Sequence, residues 1–198
     1  MSALTIPLFP LQTVLFPGGA LPLKIFEQRY MDMAKACLKV EAPFGVCLIA
    51  QGGEVGAPAE PHAVGTLARI ANWDMEQLGV LQVVVHGGAR FRVLRHWAEA
   101  SGLVCGEIEL LPDAPPRPVP PDAAGLLTLL RAIVADLGGR GGGAPPPPHR
   151  FDDATWVGHR FCEVLPIPNA ARQMLLELDD PAALLAIVRK YLVQKKLV

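Results

Sequence analysis

Residues 6–30 read IPLFPLQTVLFPGGALPLKIFEQRY, and the way proline divides this stretch decides the architecture. Short apolar runs at 4–9 and 20–25 are punctuated by Pro7, Pro10, Pro17 and Pro22. Proline has no amide to give to a sheet ladder, so these runs predict edge or bent strands. Phe16-Pro17-Gly18-Gly19 between them predicts a turn. The period then changes. Phe26, Tyr30, Met33/Ala34 and Cys37/Leu38 recur at helical spacing, which predicts a helix over about 27–40 with one buried face.

Working outward, 44–50 reads as a buried strand, and a Gly/Pro/Glu-rich loop at 51–61 leads to an alternating strand at 64–72. Residues 74–79 predict a turn into 80–86, and Gly87-Gly88 a second hairpin into 89–96. The last strand is expected at 103–111. About seven short strands and one helix suggest a bent sheet or a partly closed barrel. The proline-rich stretch 112–121 then predicts an extended linker.

Beyond it the pattern is helical. Asp122 can cap a helix whose Leu126, Leu130, Ile133 and Leu137 share a face, ended by Gly138-Gly139. The Gly/Pro stretch 138–149 is low in complexity and expected to be mobile. Asp152 or Asp153 caps a helix to about Val164, Asn169 a short one over 170–178, and Asp180-Pro181 opens the last. The expected class is α+β: a β-rich part at 1–111, a linker at 112–121 and a helical part at 122–198.

Composition narrows the function classes. The formal net charge of −1 supplies no broad field for nucleic acid, so a nucleic-acid partner is not expected. The start MSALTIPLFPLQ lacks a basic region ahead of an apolar one, and no apolar run reaches the length of a membrane span. A cytoplasmic protein with no membrane association is expected. Cys37, Cys47, Cys105 and Cys162 sit singly in apolar runs with no zinc-ligand spacing, which predicts buried free thiols in a reducing compartment.

Motifs for catalysis are sparse. Ser2 and Ser101 are the only serines, and neither lies in a nucleophile elbow. The GGRGGG run lacks the Lys-Ser/Thr of a phosphate loop. His159 and Glu163, one helical turn apart, could share a metal but show no third ligand nearby. Arg90, Arg92 and Arg95 around Phe91 form the best basic–aromatic cluster. Arg90 and Arg92 are expected to pair with Glu107 and Glu109 across the sheet rather than to hold RNA. No catalytic residue, metal or cofactor is expected.

The opening string, Ile6-Pro7-Leu8-Phe9-Pro10-Leu11, Val14-Leu15-Phe16-Pro17-Gly18 and Leu21-Pro22-Leu23-Lys24-Ile25-Phe26-Glu27-Gln28-Arg29-Tyr30, closely resembles the start of the Lon protease substrate-binding domain. Three further pieces follow in that family's order: residues 64–70 (VGTLARI), 88–93 (GARFRV) and 174–180 (MLLELDD). The resemblance implies a PUA-like pseudo-barrel followed by a helical bundle. It also implies recognition of unfolded or partner polypeptides, without the ATPase and peptidase modules that follow this region in Lon proteases. Such recognition needs apolar surface beside a free backbone edge, for which Phe9, Phe16, Phe26 and Tyr30 are the candidate walls. An RNA-binding role of the PUA-like fold is the alternative. A small hydrolase using Cys47, Cys105 or a metal is a third.

Overall fold

The computed structural model describes residues 3–139 and 144–197, with the side chains of Glu76 and Asp122 outside that description. Its strands are β1 (Leu4–Leu11), β2 (Ala20–Ile25), β3 (Phe44–Gln51), β4 (Glu60–Gln77), β5 (Val80–Ala98) and β6 (Val104–Leu110). Helix α1 (Gln28–Val40) lies between β2 and β3. The helices α2 (Ala124–Gly139), α3 (Ala154–Val164), α4 (Asn169–Leu176) and α5 (Pro181–Gln194) follow β6. The class is α+β, a β-rich part followed by a helical one.

Closure of the sheet turns on β5. One edge of β5 pairs with β4 from Val80 to Arg92, while the other pairs first with β2 at 81–86 and then with β6 at 91–98. Because β6 pairs with β1, β1 with β3 and β3 with β4, the chain of ladders returns to β5 as a small barrel, and β2 is attached to its rim. The interior holds Leu8, Phe91 and Ile108, none of them exposed. Burying side chains of this size stabilises by about 1.5–3 kcal/mol each.

Several expectations change here. The strands number six among the described residues, two of them long, because Gly87-Gly88 is not a turn: β5 runs straight through it. The hairpin turn is at Leu78-Gly79, where Gly79 has a φ of +84°. Gly87 is there for close approach. A Cβ on it would lie 2.2 Å from the Phe16 carbonyl oxygen, and its amide donates to Gly19 O at 2.9 Å. Helix α1 buries Tyr30, Met33, Ala34 and Cys37 as the spacing predicts, but Phe26 falls outside it. The Glu27 N-cap is extended (φ −74°, ψ 133°), so helical phase starts one residue later and Phe26 is left 58% exposed.

The helical part packs onto the barrel through a shared core. Val14, Phe16, Leu48 and Val64 from the strand region join Leu130, Val157, Phe161, Leu184 and Leu192. In α2 the inward residues are Leu126, Leu130 and Val134. Ile133 and Leu137 sit at the margin, so the buried stripe follows a 4-4 step rather than the expected one. Asp153 caps α3, accepting from Thr155 N at 2.9 Å, and Asp180 caps α5, accepting from Ala182 N at 2.9 Å. Asn169 does not cap. Pro168 holds the cap position of α4, and the Asn169 amide donates instead to Gln12 O of the strand region. The proline-rich stretch is tied to the start of α3: Ala154 N donates to Arg117 O (2.8 Å) and Val119 N to Asp152 O (3.2 Å). Of the stretch 138–149, residues 140–143 lie outside the described residues. Pro145 is buried, and the His149 ring lies 5.8 Å from that of Trp156.

Candidate functional site

Among the described residues β2 pairs with β5 alone, so its other edge has no strand partner there. Strand β1 has a matching gap. Its pairing with β6 ends at Leu8, and among the described residues 9–11 have strand partners in β3 alone. Between these edges lies a groove of about 350 Å³, lined by Phe9 and Leu11 of β1, Leu21 to Ile25 of β2, and Phe26, Tyr30 and Val55. Pro22 on the rim has no amide to offer, which limits pairing of this edge with another copy of itself.

Three of the four expected wall residues meet here. The ring of Phe9 stacks on that of Tyr30 with centroids 4.1 Å apart, and the Arg29 guanidinium lies 4.8 Å from the Tyr30 centroid. Arg29 is itself held by Glu27 (2.9 Å) and by Gly102 O (2.9 Å). Burial raises the Tyr30 phenol above its ordinary pKa, with Arg29 opposing and Glu27 and Glu54 adding to the rise. Phe9 and Tyr30 form the buried floor, and Phe26 and Val55, 58% and 62% exposed, form the open lip. Phe16 does not belong to this groove. It is wholly buried beneath α3, with its ring 5.2 Å from that of His159, because the turn it precedes is clamped by that helix.

That clamp was not legible from the motifs. Arg160, 1% exposed, donates to Pro17 O at 2.8 Å and to Gly18 O, and pairs with Glu163 at 2.9 Å. Gly19 lies so close beneath that an added Cβ would meet Glu163 Oε1 at 1.9 Å. A second internal arginine, Arg90, donates to Leu176 O (2.9 Å) and Asp179 (2.8 Å). The expected Arg90–Glu pairing is thereby corrected. In the β5–β6 ladder Arg92 lies opposite Glu109 and a register shift after Val93 pairs Arg95 with Glu107, while Arg90 turns inward to the α4–α5 junction. A basic residue inside an apolar helical stripe, as Arg160 is between Val157 and Phe161, was the one available signal.

His159 and Glu163 do not converge on a ligand site. His159 is buried among Arg160, Arg90 and Arg150, and burial followed by those charges pushes its pKa down to about 3. Glu163 is pushed up to about 7 by burial, with Arg160 and Arg172 opposing. The four cysteines are buried and free, and burial pushes Cys47 and Cys162 up to about 12, far from a thiolate nucleophile. Among the described residues no three His, Cys, Asp or Glu side chains cluster as a metal site.

These two shifts act on stability with opposite signs. The unfolded chain holds the His159 proton below pH 6.5 and the folded one only below about 3, so this residue makes stability rise with pH across that window. Folded protein holds the Glu163 proton up to about pH 7 and unfolded chain only to 4.5, so Glu163 makes stability fall across 4.5 to 7. Urea midpoints of Glu163→Gln are therefore expected to gain on wild type steadily as pH is raised from 4.5 to 7. Parallel profiles would show that Glu163 is ordinary in the folded state.

The comparisons agree with this architecture. A family model for the "ATP-dependent protease La (LON) substrate-binding domain" matches residues 5–194. A solved Lon N-terminal domain protein from Xanthomonas campestris is 34% identical with a TM-score of 0.76, covering 95% of this chain and 98% of that one. The N-terminal domain of a Mycobacterium avium complex Lon protease, 16% identical with a TM-score of 0.63 over 95% of this chain and 97% of that one, shares the fold. Among curated relatives, a Lon protease of Parabacteroides distasonis is 27% identical over 184 residues, 89% of this chain and 22% of its own length. A Lon protease of Anaeromyxobacter dehalogenans is 36% identical over 92 residues, 45% of this chain and 11% of its own length. The chain thus spans about a fifth or less of these curated relatives, within their substrate-binding region and not their ATPase or peptidase modules. With the opening string, the curled sheet and the helical part all in register, the chain belongs to the Lon substrate-binding domain family.

Proposed function

We propose that this protein is a non-catalytic recognition module that binds unfolded or partner polypeptides as an adaptor, with the groove along β2 as its contact surface. The observation that carries this reading is an unpaired strand edge lying beside exposed apolar side chains in a substrate-binding-domain family member. An extended segment can hydrogen-bond to the free edge while its alternate side chains enter the groove, which gives affinity from main chain and selectivity from the pocket. Phe26 is the energetic centre: large, aromatic, exposed, and on the lining of the same groove as the Phe9–Tyr30 stack. In this reading the β-rich residues 1–111 recognise and the helical residues 122–198 brace, and the four buried thiols fit a reducing cytoplasm.

The test is fluorescence anisotropy of a labelled unfolded polypeptide and of a labelled single-stranded RNA. Wild-type protein is expected to bind the polypeptide at moderate salt and not the RNA. Phe26→Ser should weaken polypeptide binding about tenfold, the effect of losing roughly 1.4 kcal/mol. Its melting temperature should stay unchanged, because the ring is 58% exposed. Unaltered affinity in Phe26→Ser would remove the groove from consideration, and binding of RNA alone would displace the polypeptide reading.

A further inference from the structure

The ladder between β2 and β5 fixes which way each backbone group of β2 points. Its register pairs Ala20 with His86 through to Ile25 with Leu81, and one step before it the Gly87 amide donates to Gly19 O at 2.9 Å. In an antiparallel ladder, bonded pairs alternate with unbonded ones. Gly19 occupies a bonded position, so Leu21, Leu23 and Ile25 direct their amides and carbonyls to β5. Ala20, Pro22 and Lys24 turn theirs to the other edge. Pro22, which has no amide, agrees with this phase. The free edge therefore offers amides at Ala20 and Lys24 and carbonyls at Ala20, Pro22 and Lys24.

Side chains alternate in the same phase. Leu21 and Leu23 are half-buried and Ile25 is buried, in one apolar cluster with Phe9 and Tyr30 of the groove floor. Pro22 and Lys24 are exposed. Lys24 is the charged residue of β2 itself, and it makes no ion pair among the described residues. The two carboxylates on the groove lining are already engaged, Glu27 by Arg29 and Glu54 by the Gln12 amide.

A strand laid antiparallel on this edge meets the two sets separately. Its residues opposite Ala20, Pro22 and Lys24 give their amides to those three carbonyls, which excludes proline there, and their side chains face outward. Residues opposite Leu21, Leu23 and Ile25 make no bond to the edge and point into the groove, where apolar side chains leave water. The residue opposite Lys24 has its Cβ about 5 Å from that of Lys24, so an acidic side chain there reaches the ammonium.

We propose that the β2 edge selects its clients by an alternating rule: apolar residues opposite Leu21, Leu23 and Ile25, no proline at the intervening positions, and Asp or Glu opposite Lys24. The rule rests on the groove being the contact surface, and names the class of segment that fits it. An antiparallel ladder is the more stable per residue. A parallel segment would differ in phase, since the residues it bonded to the edge would be the same ones that point into the groove.

The experiment is fluorescence anisotropy of the full chain with a labelled peptide of core Leu-Asp-Leu-Thr-Leu-Thr, and with its N-methylated forms. N-methylation of the Asp or of either Thr is expected to weaken binding about fivefold, through loss of one main-chain bond. N-methylation of any Leu should change it by less than about twofold. Replacing the peptide's Asp by Lys should weaken binding about threefold, and Lys24→Glu in the protein should restore it. Equal effects at both sets of positions, effects at the Leu positions only, or no rescue by Lys24→Glu would each overturn the rule. Loss of peptide binding in Phe26→Ser would show in those cases that the groove reading survives. A peptide that fails to bind while an unfolded polypeptide still binds would overturn the rule alone; failure of both would take the groove reading with it.

Discussion

Arg160→Met is expected to lower the unfolding free energy by about 3–5 kcal/mol, the range seen when one member of a buried ion pair is removed. Methionine keeps most of the side-chain volume, so the loss reports on polar partners rather than on a hole. Three acceptors are abandoned together: the carbonyls of Pro17 and Gly18 and the Glu163 carboxylate. They join the turn before β2 to α3, so the loss falls on the seam between the two parts of the molecule. Adding Glu163→Gln to Arg160→Met should change little below about pH 7, where folded protein already holds the Glu163 proton, and recover part of the deficit only at higher pH. Arg160→Lys should recover little, because an ammonium cannot reach both carbonyls in the manner of a planar fork. Urea unfolding of the four proteins checks this; a loss under about 1 kcal/mol for Arg160→Met would mean that the clamp is not stabilising.

Phe91→Ala should be comparably severe, at about 3–5 kcal/mol. The ring has no exposure and occupies the centre of the barrel. Its neighbours have adapted to it: a Cβ on Gly45 would lie 2.6 Å from Phe91 Cζ and 2.7 Å from Leu8 Cδ2, and one on Gly65 2.7 Å from Phe91 Cζ. The glycines thus make room for the ring rather than bend the strands. Gly45→Ala alone should destabilise by overpacking, by about 1–3 kcal/mol. Combined with Phe91→Leu it should do less harm than the two single changes added together, because the atoms in its way are all side-chain atoms. Simple additivity in the double variant would place the strain elsewhere. For Gly65 no such relief is expected, since its Cβ would also lie 2.5 Å from the Val46 carbonyl oxygen.

Much of this molecule could be read from local signals. Proline placed β2 at an edge, Asp153 and Asp180 announced the starts of α3 and α5, and the spacing of Tyr30, Met33 and Cys37 identified the buried face of α1. Patterning along the chain indicated the α+β class, and the long opening string identified the family. Of the four candidate groove walls, Phe9, Phe26 and Tyr30 line one groove and Phe16 does not, and Leu21, Leu23 and Val55 on the same lining were not singled out. The failures share a cause. Gly87-Gly88 looks the same whether glycine serves a turn or the close passage of another segment, and here that segment is the Phe16 carbonyl some 70 residues earlier. Phe16 and Phe26 are likewise both aromatic residues beside apolar runs, yet one is sealed under α3 and the other is exposed.

Signals that act within a turn of helix or a pair of strand residues are carried by the chain itself, because backbone sterics, capping and side-chain periodicity involve near neighbours only. They were sufficient for the elements, their order and the family. The return of β6 to β5, the inward turn of Arg90 toward Leu176 and Asp179, and the grip of Arg160 on Pro17 and Gly18 join residues 12 to 143 positions apart. Such contacts form only when packing brings distant segments together and denies their polar groups water, and that burial, absent from any local pattern, also set the unusual protonation of His159 and Glu163.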